Sequence, residues 1–305
     1  MAVSVDTSCK SNYLSMLTLC VDVENVITGS LSSWFMDVLK LPAGFGPIGF
    51  GTWMLSPEDC KAAVMKAVEV GYRHIDTAQL YGNEEQVGEA VADCGVPRDD
   101  LVIATKVWAD QLSHDDVIAS TETSLKKLGL DRVNILYIHW PADRYKPTET
   151  LAAFSELVDA GKVDFIGLSN FSPALIDEAK KTCDKPLIVC QVEHHPLLQQ
   201  VELRAYLEDH GMKFVAYSPL ARRRVLNIPE LQEIASKHGI TATQVSLAWI
   251  MAHGAVPIPK ATSREHIQEN FDAQDVVLDP EDIEKIDTIS SAKRIINPPG
   301  LAPNW

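Results

Sequence analysis

From Ile48 onward this chain repeats one pattern eight times: a short apolar run, then a stretch with helical spacing. No other feature restricts the fold as strongly. The runs read as strands at 48–52, 73–75, 101–106, 133–139, 163–169, 187–192, 213–218 and 255–259. Helices are expected from Ser56-Pro57 to Gly71, then at 84–93, 113–128, 148–160, 173–181, 202–210, 229–238, 241–251, 264–273 and 280–290. Ser56 suits an N-cap, Pro57 the first helical position, and Gly71 a C-terminal stop. The strand runs are continuous rather than alternating, as in strands buried on both faces, and strict β-then-α alternation argues a parallel sheet. Eight units match a closed (β/α)8 TIM barrel of the α/β class, one domain spanning 41–305. A doubly wound sheet would want G-x-G-x-x-G after an early strand, and Gly49-Phe50-Gly51-Thr52-Trp53-Met54 lacks the last glycine.

Residues 1–40 hold no such period. They are expected to be an N-terminal extension, disordered or apart from the core, with Met36 an alternative translation start. The tail from Ala292 carries Pro298, Pro299 and Pro303 and reads as irregular.

Charge and cysteine usage narrow the functions. The net charge is −15, which disfavours nucleic acid and anionic membranes as partners, since phosphate binding needs a basic face. An anionic cofactor would need a local basic pocket. The acidity reads either as ordinary solubility or as salt adaptation. The six cysteines show no C-x-x-C spacing, so we expect free thiols in a reducing, cytoplasmic setting. No apolar run approaches the roughly 20 residues of a membrane span. No secretory signal is recognised either, because Asp22 and Glu24 break the first apolar stretch. A monomer is expected.

A parallel barrel carries its site at the carboxyl ends of its strands. Here those ends read Asp76, Lys106, His139, Ser169-Asn170, Gln191, Tyr217-Ser218 and Lys260. Any one of them has a plain structural explanation; the series does not. Tyr81 follows Asp76 on the same loop. A phenol titrates near about 10, and a neighbouring ammonium such as Lys106 would lower that value. Asp76 would keep Lys106 charged against burial. A neutral His139 could orient a carbonyl oxygen. The result is a general acid poised over a carbonyl, which still needs a hydride source and hence a cofactor. Ser169, Asn170 and Gln191 suit a carboxamide, and Tyr217 offers a flat ring.

The chain resembles the aldo-keto reductase family, in its prokaryotic aldehyde and 2,5-diketo-D-gluconate reductase-like branch. The resemblance rests on GFGTW at 49–53, the stretch 76–82, TKVW at 105–108, YIHWP at 137–141, GLSNF at 167–171, QVEHHP at 191–196, YSPLA at 217–221 and IPKAT at 258–262. It implies a catalytic tetrad of Asp76, Tyr81, Lys106 and His139, with Tyr81 the proton donor. It implies NADPH extended across the barrel rim, with the carboxamide held by Ser169, Asn170 and Gln191. Tyr217 would stack on the nicotinamide, and Ser218 and Leu220 would lie along the pyrophosphate. Lys260, Thr262 and Arg264 would face the 2′-phosphate, and Glu269 and Asn270 the adenine. Trp53, Trp108 and Trp140, with His139, would wall the pocket for a small aldehyde or ketone. Ala261 stands where the family commonly has serine, and His266 where many members have arginine, so NADH use is open as well. Arg222, Arg223 and Arg224 read either as a solvated run or as pyrophosphate ligands.

Other chemistries remain to be set against this one. A Schiff-base aldolase would need a neutral Lys106, against which Asp76 and Tyr81 argue. A low-turnover NADP(H)-binding scaffold or regulatory subunit could use the same barrel. His194 and His195 are adjacent and point to opposite faces of a strand, so no metal site is expected. The short tail suggests an open pocket tolerant of small carbonyls.

Overall fold

A computed structural model of the chain describes residues 42–142, 144–289 and 292–301. The apolar runs become eight strands ordered β1 to β8 in one sheet. These are β1 (Phe50–Gly51), β2 (His74–Asp76), β3 (Val102–Val107), β4 (Val133–Ile138), β5 (Val163–Ser169), β6 (Leu187–Glu193), β7 (Lys213–Tyr217) and β8 (Ala255–Pro257). Each pairs in parallel with its sequence neighbour. Every residue of β3, β4 and β6 is buried, which is why these runs lack a polar face.

The ring closes between its first and last strands. Gly49 N–H donates to Pro257 O at 2.9 Å, and Gly51 N–H to Pro259 O at 3.0 Å. A Cβ on Gly51 would stand 2.6 Å from Ile258 O, so the approach of the two strands requires glycine there.

The helices follow as expected: α1 (Pro57–Val70), α2 (Glu84–Asp93), α3 (His114–Leu128), α4 (Pro147–Asp159), α5 (Pro173–Thr182), α6 (Val201–Asp209), α7 (Pro229–His238), α8 (Ala242–Ala252), α9 (Arg264–Asp272) and α10 (Pro280–Asp287). Helix α1 illustrates the local cause. The Ser56 hydroxyl accepts from the Asp59 N–H at 3.2 Å, Pro57 takes the first position, and Gly71 stops the helix at φ +132°. Between these ends it buries Cys60, Ala63, Val64, Ala67 and Val68, one stripe at helical spacing. In α8 the fully buried Trp249 finds the partner its indole N–H needs, donating to Asp287 Oδ1 at 2.8 Å.

Differences from the sequence reading are local. Strand β2 runs one residue later than expected, so Asp76 is paired within the sheet rather than just beyond it. The last helix ends at Asp287 rather than near 290. Short 3₁₀ turns between the main elements, among them Gln79–Tyr81, and the kinked segment Ala221–Asn227 were not anticipated. The expectations for residues 1–40 and Met36 fall outside the described residues.

Candidate active site

The site is built outward from the end of β2. The turn Gln79–Tyr81 stops at Gly82, which is left-handed at φ +66°. Asn83 then fixes the loop from behind. Its side-chain amide donates to Thr52 O at 3.0 Å and Leu55 O at 3.3 Å, and its Oδ1 accepts from the Thr77 hydroxyl at 2.9 Å. One buried side chain thus ties the β1 loop to the β2 loop and holds Tyr81 over the barrel.

Lys106 on β3 is fully buried beneath that loop. Its Nζ pairs with Asp76 Oδ1 and donates to Thr77 O at 2.8 Å. The other carboxylate oxygen of Asp76 accepts from Gln191 Nε2 at 2.7 Å, across the barrel from β6. Lys106 Nζ lies 5.1 Å from the Tyr81 ring centre and 5.7 Å from that of Tyr137. His139 stands edge-on to Tyr81 at 5.8 Å and to Trp108 at 5.1 Å, with Trp140 stacked at 6.4 Å. Asp76, Tyr81, Lys106 and His139 therefore gather at one point, with Trp108 and Trp140 beside them.

The electrostatics of this cluster follow from its dryness. Burial pulls the Lys106 pKa down, and the charge of Asp76 and the hydrogen bond to it oppose that pull. Burial, reinforced by the Lys106 charge, holds His139 well below the usual imidazole range, so its ring is neutral at neutral pH. Tyr81 departs from the sequence expectation. Instead of being lowered by Lys106, its pKa is pushed well above 10, by burial first, then by the charge of Asp76 and the neighbouring Tyr217. The Lys106 ammonium faces its own counter-charge, and desolvation of a phenolate outweighs what attraction remains. The resting phenol is protonated.

A cavity of about 820 Å³ opens from this cluster. Asp76, Tyr81 and His139 line it, as do Trp53, Trp108 and Trp140. So do Asn170, Gln191, Tyr217, Ser218 and Leu220, then Lys260, Thr262, Glu269 and Asn270. Asn170 sits at φ +64°, a conformation asparagine tolerates better than most residues. Its amide donates to His139 O at 2.9 Å and Ser169 Oγ at 3.1 Å, and its Oδ1 accepts from the Tyr217 hydroxyl at 2.8 Å.

Lys106, buried beneath the loop, does not line the cavity, and neither do Arg224 and two expected cofactor contacts. Ser169 is fully buried behind Asn170. Arg264 is directed to Glu69 Oε2, at 2.7 Å, on the neighbouring helix α1. His266 does line the cavity, with its Nδ1 3.1 Å from Glu269 Oε2. Arg222 and Arg223 also line it, and the Arg222 guanidinium lies 5.0 Å from the ring centre of Trp53. Ala221, Arg222 and Arg223 are all left-handed, at φ +49°, +50° and +69°, a strained run for residues with side chains.

The histidines 194 and 195 follow β6 and face different partners, Leu198 O at 3.2 Å and Glu193 Oε1 at 3.0 Å. Elsewhere His238, Asp279 and Asp282 come together, and the Lys237 ammonium already bridges the two carboxylates at 2.7 and 3.0 Å. Among the described residues no helix is long and apolar enough to cross a membrane.

Several residues here were missed from the sequence. Asn83, Thr77 and Tyr137 support the cluster, and Ile296 and Pro298 line the cavity from the tail. Only Asn83 left a signal, a polar residue next to a helix start.

The model of the aldo/keto reductase family matches residues 47–291. Methylglyoxal reductase DkgB of Escherichia coli O157:H7 is 40% identical over 260 residues, covering 84% of this chain and 97% of that relative. Glyoxal reductase of Bacillus subtilis (strain 168) is 39% identical over 263 residues, covering 85% and 95%. Among solved structures, a Bombyx mori aldo-keto reductase in complex with NADP superposes with a TM-score of 0.78 at 31% identity, covering 82% and 91%. With the barrel, the polar cluster at its mouth and these relatives in agreement, the chain belongs to the aldo/keto reductase family and is an oxidoreductase of that family's kind.

Proposed function

We propose that this protein reduces aldehydes and ketones to alcohols with NADPH, using Tyr81 as the general acid. The observation that carries this reading is the buried Asp76–Lys106 pair set beside Tyr81 and a neutral His139 at the cavity wall. The cavity also fits an anionic dinucleotide. In a chain of net charge −15 it gathers Lys260, Arg222, Arg223 and His266, together with the flat ring of Tyr217. When bound, the reduced nicotinamide supplies the hydride.

The side chains do the rest. The neutral His139 holds the carbonyl oxygen by a hydrogen bond. The Tyr81 hydroxyl gives that oxygen its proton. A high resting pKa keeps the proton on Tyr81 until negative charge builds on the substrate oxygen. As the proton leaves, Lys106 is the cation beside the phenolate, and Asp76 keeps it charged in a dry site. Trp53, Trp108 and Trp140 exclude water and wall the substrate.

At the adenosine end, Lys260 and Thr262 would take the 2′-phosphate, and Glu269 and Asn270 the adenine. Ser218 and Leu220 would lie along the pyrophosphate, and Asn170, Gln191 and Ser169 behind it would hold the carboxamide. With Ala261 and His266 in place and Arg264 drawn to Glu69, the preference for NADPH is moderate and NADH is accepted. The two relatives named for methylglyoxal and glyoxal reduction point to compact 2-oxoaldehydes as substrates.

The test is a single-turnover measurement of NADPH oxidation on mixing with methylglyoxal. Fast, stoichiometric oxidation is expected. Tight NADPH binding without oxidation by any aldehyde would leave only the scaffold reading. A Schiff-base aldolase is disfavoured by Lys106 itself, whose Nζ is fully buried and ion-paired.

A further inference from the structure

Glu193 is the last residue of β6 and is fully buried, and nothing in the chemistry above uses it. Its carboxylate is nonetheless fully engaged. Oε1 accepts from the Ile295 N–H at 2.7 Å and lies 3.0 Å from His195 Nε2. Oε2 accepts from the Ile296 N–H at 2.9 Å, with Arg294 Nη1 4.0 Å away. Residues 292–298 form no helix or strand. They have no ladder to hold them, so their backbone donors need partners from elsewhere in the chain. Lys293 N–H donates to Leu197 O at 2.9 Å, and the next anchor is Glu193.

This strap reaches the site. Ile296 and Pro298 line the same cavity as Tyr81 and His139. Arg294 hydrogen-bonds the side chain of Tyr217, whose hydroxyl in turn donates to Asn170. Through Tyr217 and Asn170 the strap is joined to the catalytic end of the cavity.

We propose that Glu193 is a positioning residue for substrate selection: its buried carboxylate seats the strap 294–298, so that Ile296 and Pro298 form a fixed wall against the carbon skeleton of the substrate. The proposal rests on the reductase reading given above. Compact 2-oxoaldehydes fit within a fixed wall, and bulky aryl aldehydes press on it. Burial by itself would raise the Glu193 pKa. Hydrogen bonds from His195, Ile296 and Ile295 outweigh that and hold it below the usual range, so the anchor is charged at neutral pH. Charge-assisted bonds of this kind are about twice as strong as neutral ones.

The experiment is Glu193→Gln in the full chain, read in two ways. The variant keeps the shape of the side chain and turns an amide toward a backbone donor. Hydrogen exchange at the Ile295 and Ile296 amides of the ligand-free protein is expected to accelerate at least about tenfold. Selectivity for methylglyoxal over a bulky aryl aldehyde is expected to fall about fivefold, through KM. Both kcat and the NADPH Kd should stay within about twofold. Adding Ile296→Ala to Glu193→Gln should change selectivity little further, because both act on the same wall. Unchanged exchange overturns the anchor whatever carbonyl the wild type reduces. Equal losses for both aldehydes, or a larger change in NADPH Kd than in KM, overturn the selection role and leave the reductase reading intact. Should Glu193→Gln not fold, His195→Ala withdraws one contact and keeps the carboxylate. It should give the same pattern at smaller amplitude, and no change in exchange or selectivity would sink the proposal.

Discussion

The cavity has two ends held in different ways. At the catalytic end, Asp76, Lys106 and Gln191 come from three strands and satisfy one another inside the barrel. At the other end, Lys260, Thr262 and His266 are exposed and follow the short last strand, and His266 leans on Glu269. The difference teaches where each kind of precision is needed. Proton transfer needs groups fixed within fractions of an ångström, which strands provide. Phosphate recognition needs positive charge nearby, and mobile side chains serve for that.

The sharpest way to break this comparison is Tyr81→Phe. It should lower kcat for methylglyoxal by about 10²- to 10⁴-fold, the usual contribution of a positioned acid, with NADPH affinity within about twofold. Titrating NADPH by protein fluorescence beside steady-state rates checks both halves. Wild-type rates in the variant would remove Tyr81 from its role.

A second test asks how dry the barrel is on the strand that carries Asp76. His74 begins β2, stacks on Phe45 at 4.9 Å, and has no hydrogen-bond partner for either ring nitrogen among the described residues. Burial, partly offset by Asp76, lowers its pKa to about 4. The folded protein therefore keeps His74 neutral where the unfolded chain, with a pKa near about 6.5, takes up a proton. Its stabilising contribution is complete above about pH 6.5 and is lost as pH falls toward 4, about 3 kcal/mol in all. Urea midpoints over that window should fall more steeply in wild type than in His74→Gln, and equal slopes would show the site to be wetter than described.

At the adenosine end the effects are smaller. Lys260→Ala should weaken NADPH about tenfold and NADH less than about twofold, as expected for one charge-assisted contact. Equal losses would remove its 2′-phosphate role. The smallest effect belongs to Arg222→Ser. An exposed cation–π contact is worth about 0.5–1 kcal/mol, so NADPH should dissociate about two- to fivefold faster. An unchanged rate would mean that the contact with Trp53 does not restrain the loop.

The barrel was legible because its strands are buried on both faces and leave unbroken apolar runs, each closed by a helix with its own stop. The candidate cluster was legible because strand ends are where polar groups have no packing reason to be. What stayed hidden are partnerships across long stretches of chain. Glu193 sits in the quoted QVEHHP stretch beside two histidines, and the backbone donors it holds lie 102 and 103 positions away. The pKa of Tyr81 was misjudged because spacing shows which charges are near but not how little water reaches them.

The junction of β1 and β8 has a consequence of its own. Trp53 stands two residues past Gly51, and Lys260 two past Ile258, whose carbonyl a Gly51 side chain would strike. Trp53 and Lys260, both on the cavity wall, thus spring from one clasp. A single methyl group at position 51, opposite Asp76 on β2, would act as a wedge in that clasp and spread both at once.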